Sequence, residues 1–186
     1  MRSVYSLALA GLLSLGLCAQ TQAADVTQKV DNVSIEIPDN WQVLPKAVMV
    51  EVTQGNPDII LLAQGPDQGF PKLTVLKNSD PTTQAAFAKM DAAQIDGLCK
   101  QFVGNTAQRL GKVETTCGKA ESNGLSALAV QMTIPAQGNR PELVSITRHY
   151  PNGGKGATVS AMFLEKDAAK FEAQTEKACA SLKFIQ

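Results

Sequence analysis

Residues 112–164, KVETTCGKAESNGLSALAVQMTIPAQGNRPELVSITRHYPNGGKGATVSAMFL, decide how the chain folds. Four segments in this stretch have strand character: Lys112 to Lys119, Leu125 to Ile134, Glu142 to Tyr150 and Ala157 to Leu164. The breaks between them are turn chemistry. Asn123-Gly124 joins the first two, and both residues tolerate the positive φ that a tight hairpin requires; Asn152-Gly153-Gly154 joins the last two. Such short links rule out parallel crossovers, so the four strands are expected to form an antiparallel meander.

Upstream of the meander the pattern changes twice. Val33, Ile35 and Ile37 alternate with Ser34 and Glu36 as a half-buried strand, and Pro38-Asp39-Asn40 breaks the run just before Trp41. Val48, Val50 and Val52 repeat the alternation, and apolar runs at Ile59 to Leu62 and Leu73 to Leu76 follow, so the part before residue 80 is expected to be strand-rich. At Asp80 the period becomes helical. Asp80 is placed to cap a helix with Pro81 in its first position, Phe87, Met90, Leu98 and Phe102 share one face with Ile95 at its edge, and Gly104 is the expected stop. Downstream, a closing helix from Asp167 to about Leu182 carries Phe171, Ala178 and Leu182 on one side, and Lys183 to Ile185 forms a tail. Strands, helix, four-strand meander and helix together predict an α+β domain on an antiparallel sheet.

The first 23 residues read as a secretory signal peptide. Met1 and Arg2 precede an apolar run from Val4 to Leu17, too short to span a bilayer, and Thr21-Gln22-Ala23 supplies small residues at the positions a signal peptidase reads. Cleavage after Ala23 leaves residues 24–186 as one domain in the periplasm, with no integral membrane segment. A lipoprotein reading centred on Cys18 is disfavoured because Leu17 stands where a small residue belongs. Loss of Arg2 turns 17 basic against 17 acidic residues into 16 against 17, with neither sign concentrated in any segment. No basic face is available to displace counterions from a nucleic acid, so that class of partner is excluded.

Export also removes Cys18 and leaves Cys99, Cys117 and Cys179. At most one internal disulfide can form from three thiols. Cys99 with Cys117 is the favoured pair because the segment between them is short and reads as a helix end turning back into a strand; the alternative is three reduced cysteines packed as small hydrophobes. No CxxC spacing exists for thioredoxin-type chemistry.

Catalytic signals are sparse. His149 is the sole histidine, on the strand face of Ser145 and Thr147 opposite Val144 and Ile146, and is expected to lie on the solvent side. Gly153-Gly154-Lys155-Gly156 lacks the helix start that a phosphate loop needs and reads as a turn before a strand. No residue set suggests a metal site or a cofactor. Trp41, His149 and Tyr150 are the candidate binding residues. For Trp41 the alternative is a core-covering indole, and for His149 an ordinary surface imidazole.

Four stretches together resemble the PsbP-like superfamily, which includes small exported bacterial proteins of the DcrB type: VSIEIPDNW from Val33, DPTTQAAFAKM from Asp80, GLSALAV from Gly124, and the closing strand and helix that lead to SLKF from Ser181. The resemblance implies an α/β/α sandwich with helices on both faces of the sheet. It also implies a non-enzymatic accessory or binding role, with another envelope protein as partner. Two other readings are carried beside it: an immunity protein that neutralises a secreted toxin, and a periplasmic hydrolase built on His149.

Overall fold

The computed structural model describes residues 25–66, 70–110 and 113–185. The expected leader, with its cleavage point after Ala23, lies outside the described residues. The described residues open with a hairpin, β1 (Val26–Val30) and β2 (Val33–Ile37), whose turn places Asp31 at φ 53°. β1 carries no strong sequence signal because most of it is exposed; its register is set by β2, which buries Val33, Ile35 and Ile37. β3 (Gln42–Val43) follows Trp41.

The next element corrects the sequence reading. Val48, Val50 and Val52 sit not in a strand but in a short helix, α1 (Lys46–Val52), and are 40%, 47% and 55% exposed. Alternation predicts a strand only when one face has something to pack against. Here no residue of the element is buried, and its backbone is satisfied locally, with Met49 N donating to Pro45 O and Thr53 N to Met49 O.

β4 (Ile59–Gln64) and β5 (Lys72–Asn78) pair antiparallel, and the chain then crosses one face of the sheet through two helices, α2 (Gln84–Ala88) and α3 (Ala92–Leu110). The expected helix start at Asp80 and Pro81 is displaced. Asp80 spends its carboxylate on Thr82 N, while Asp80 O and Thr82 O accept from Gly154 N and Gly153 N, so residues 80–82 are laced to the distant glycine turn. Thr83 caps α2 instead, its hydroxyl accepting from Ala86 N. Asp91 and Gln94 then form a reciprocal capping box that starts α3. Gly104 does not stop the helix, which runs on to Leu110; a single exposed glycine weakens a helix by about 1 kcal/mol without ending it.

The meander follows as β6 (Glu114–Ser122), β7 (Leu125–Ile134), β8 (Leu143–Tyr150) and β9 (Gly156–Leu164), every neighbouring pair antiparallel. Asn123 and Gly124 have φ 48° and 74°, as the tight hairpin demands. β9 docks beside β5, giving one seven-stranded sheet in the order β3-β4-β5-β9-β8-β7-β6. After a short 3-10 turn, α4 (Ala168–Ser181) leads to β10 (Lys183–Phe184), which pairs with β2 rather than trailing as a free tail and completes a small sheet β1-β2-β10.

The helices occupy opposite faces. On one, Phe171, Ala178, Cys179 and Leu182 of α4 pack with β2, Trp41 and the inward residues of β8 and β9, Val144, Ile146, Val159 and Phe163 among them. On the other, Phe87, Ile95 and Cys99 pack on Leu128, Val130 and Met132 of β7. The result is an α/β/α sandwich on an antiparallel sheet.

Candidate functional site

His149 and Tyr150 are consecutive on β8, so their side chains leave opposite faces of the sheet. Tyr150 goes to the α4 side. It is 1% exposed, its hydroxyl donates to Cys179 O at 2.7 Å, and burial pushes its pKa well above the ordinary phenol value. Trp41 lies in the same core at 5% exposure, with Nε1 donating to Gln174 Oε1 at 3.0 Å and its ring edge-on to Phe171. The three candidate binding residues are therefore not brought together: two are in the α4 layer and His149 faces α3.

His149 is not on the solvent side, as the alternation had suggested. The Ser145, Thr147 and His149 face is covered because α2 and α3 cross it, and the Phe102 ring meets the imidazole edge-on at 4.9 Å. Nδ1 lies 2.8 Å from Thr158 Oγ1 on β9, while Nε2 is buried and has no hydrogen-bond partner. Removal from solvent lowers the His149 pKa, with the Asp80 charge pulling the other way, so the ring is neutral at pH 7.

A cavity of about 250 Å³ opens beside this ring. Its floor is the sheet, where Leu128 and His149 are paired in register. Its roof is α3, which presents Leu98, Gln101, Phe102 and Asn105, the i, i+3, i+4, i+7 set that makes one helix face. Phe87 of α2 supplies a further apolar wall, and Asn78, Asp80 and Pro151 close one end. Among the described lining residues Asp80 is the one that is formally charged. An apolar chamber with a few convergent polar groups is the usual form of a small-ligand site. The sequence contained the signal in part: Leu98 and Phe102 are read correctly as one helical stripe, and the exposed amides Gln101 and Asn105 border that stripe at the mouth of the cavity.

The roof is held covalently. Cys99 of α3 and Cys117 of β6 form a disulfide with Cα atoms 5.7 Å apart, the pairing favoured from the sequence. Cys179 is free and buried under α4, and burial pushes its thiol up to about 12, which leaves it without thiolate at neutral pH. Gly153 and Gly154 form a turn at φ 59° and 80° that runs directly into β9, so no helix N-terminus meets the glycines. Among the described residues, no group of three or more His, Cys, Asp or Glu side chains is placed to hold a metal ion. No described helix is long and apolar enough to cross a membrane.

No protein-family model matches the chain, and no curated protein matches it. Solved structures do. The cyanobacterial PsbP (CyanoP) of Synechocystis sp. PCC 6803 superposes with a TM-score of 0.58 at 15% identity, over 91% of this chain and 98% of that one. LpqN of Mycobacterium tuberculosis, described as involved in cell envelope biogenesis, superposes with a TM-score of 0.53 at 12% identity, over 83% of each chain. At such identities the likeness is one of fold. The antiparallel sheet flanked by helices on both faces is the PsbP-like fold.

Proposed function

We propose that this chain is a non-catalytic binding protein of the bacterial periplasm, an accessory factor of the envelope that engages its ligand or partner at the cavity between α3 and the sheet. The observation that carries this reading is the state of His149. The ring faces a cavity, is held by Thr158 alone, keeps Nε2 buried without a partner, and carries no charge at pH 7. A catalytic histidine needs a nucleophile or a reacting proton on one nitrogen and an orienting group on the other. Here the free thiol, Cys179, belongs to the core on the opposite face, and the other two described cysteines are joined to each other. A buried, neutral, unpaired nitrogen in an apolar chamber suits recognition, since a bound group that supplies the missing hydrogen bond removes a desolvation cost of about 1–3 kcal/mol.

Export is supported by the Arg2-led apolar leader and by the Cys99–Cys117 disulfide, a bond that persists in oxidising compartments. The role in the envelope is supported by a structural neighbour, LpqN, that is described in those terms. The test uses mature protein as bait in periplasmic extract, wild type beside Asn105→Trp. Asn105 is exposed on the roof, so an indole there plugs the mouth without disturbing the core. Capture that is lost in the variant at unchanged melting temperature supports the reading; equal capture by both proteins overturns it. Edman or mass analysis of the periplasmic form should place its N-terminus at Ala24.

A further inference from the structure

The lining of the cavity is asymmetric in charge, and that asymmetry selects a ligand. Two phenyl rings, Phe87 and Phe102, stand with Leu98 and Leu128 on the apolar side. At the open end the polar groups are Gln101 and Asn105, each with a side-chain carbonyl oxygen, the carboxylate of Asp80, and Asn78, whose Oδ1 already accepts from Asp80 N at 2.9 Å. Among the described residues no lysine or arginine lines the site to balance that carboxylate, and His149 does not supply a positive charge, because its ring is covered by Phe102 and by the sheet. Asp80 itself is fixed in place. Its Oδ1 accepts from Thr82 N at 2.8 Å and its backbone carbonyl accepts from Gly154 N at 2.8 Å, so the carboxylate is presented at the rim by two anchored turns rather than by a free side chain.

We infer that the cavity takes a small cationic amphiphile: an aryl or short alkyl group lying among Phe87, Leu98, Phe102 and Leu128, with a primary ammonium group held at the rim by Asp80 and the neighbouring amide oxygens. This rests on the reading of the cavity as a binding site and adds the chemical class of what enters it. The size agrees with the class, because about 250 Å³ lies just below the range of drug-sized ligand pockets and accommodates one ring or a short chain rather than a lipid tail. An anion of the same size meets Asp80 with no compensating positive group among the described lining residues. A neutral analogue fills the apolar part and gains nothing at the rim.

Amide NMR of the full mature protein, titrated at low salt with 2-phenylethylamine, 2-phenylethanol and 3-phenylpropionate, reads all three cases. The expected result is that the amine shifts the amides of Leu98, Phe102 and His149 and binds about tenfold more tightly than the carboxylate, with the alcohol between them. Asp80→Asn, which keeps an oxygen for Thr82 N, should weaken the amine by about threefold and leave the alcohol unchanged, the size expected of a partly exposed charge pair. Asp80→Ser serves as a second variant with the same turn chemistry. Binding of the carboxylate as tight as that of the amine, or no response of the amine to either substitution, overturns charge selection while leaving a working cavity. Absence of shifts with all three probes overturns this inference outright, and the Asn105→Trp capture experiment then decides separately whether the cavity binds anything.

Discussion

The two faces of the central sheet are built by different rules. The α4 face has a continuous apolar centre, with Val144, Ile146, Val159, Phe163 and Phe171 in one cluster that also draws in β2 and Trp41, and its strand polar groups Arg148 and Gln131 are paired with Glu176 and Glu172 of α4. The α3 face is mixed: Leu128, Val130 and Met132 hold the helices on β7, whereas the neighbouring strands present Ser145, Thr147, His149, Thr158 and Ser160, with the Thr147 and Ser160 hydroxyls 3.0 Å apart. The covering helices differ in the same sense. α4 has no glycine, and α3 contains Gly97 and Gly104. A polar floor under a weak helix provides less grip than an apolar floor under an alanine-rich one, and on the α3 side a disulfide supplies a covalent attachment. One face carries the fold, and the other can afford a cavity.

Truncating one ring on each side separates the two faces most widely. Phe171→Ala removes a side chain that is 1% exposed and should cost about 3–5 kcal/mol in urea unfolding. Phe102→Ala removes a half-buried ring beside an existing cavity and should cost well under half of that, while abolishing amine binding. Equal losses would mean that the α3 layer is as much a core as the α4 layer.

The disulfide comes next. Cys99→Ser with Cys117→Ser should cost about 2–4 kcal/mol, the usual effect of opening a loop of this size. The distribution matters more than the total. Hydrogen exchange should accelerate across α3 and leave α4 at its wild-type rate; uniform acceleration would show that the tether stabilises the whole fold rather than the roof. In the unreduced, denatured wild-type protein one thiol of the mature chain, Cys179, should be open to alkylation, and three after reduction.

These asymmetries explain what could be read from the sequence. β7 is legible to the residue, Leu125–Ile134, and so is β2, because each alternates against a packed face and ends at a turn with an unmistakable backbone demand. Val48, Val50 and Val52 mislead because alternation records composition, not burial, and nothing packs on that segment. The helix boundaries at 80–83 move because Asp80 and Thr82 answer to Gly153 and Gly154, about seventy residues away, a tie that no local pattern carries. The same limit hides the site. His149 is conspicuous as the sole histidine, yet its value depends on α3 passing over it, and the sequence alone leaves open which face each helix covers.

Gly104→Ala strengthens the weaker of the two helices. A Cβ at Gly104 meets nothing within 4 Å, so the substitution should stabilise by about 0.5–1 kcal/mol through helix propensity alone. If α3 is the weaker layer, the gain should appear as slower exchange in α3 at constant exchange in α4. A loss of stability would show that the helix needs the glycine for a contact of another kind.

The most delicate test is the pH dependence contributed by His149. In the folded chain desolvation lowers its pKa below the ordinary 6.5, with Asp80 as the charge that opposes the shift. Lys119, two positions along the same row of paired residues, is engaged with Ala88 O and Glu121 instead. Since the unfolded chain binds the proton more readily, stability must fall as pH drops through 6.5, and the loss is complete once pH lies below the folded value. Other groups titrate too, so the quantity to follow is the difference between wild type and His149→Gln. That difference should favour wild type less at about pH 5.5 than at about pH 7.5, where the ring is neutral in both states. A flat difference would mean that His149 titrates as if exposed, and the α3 face would then be an open surface instead of a covered polar floor. An amine bound at the rim adds a positive charge beside the ring and should steepen the difference, which ties the titration of His149 to occupancy of the cavity.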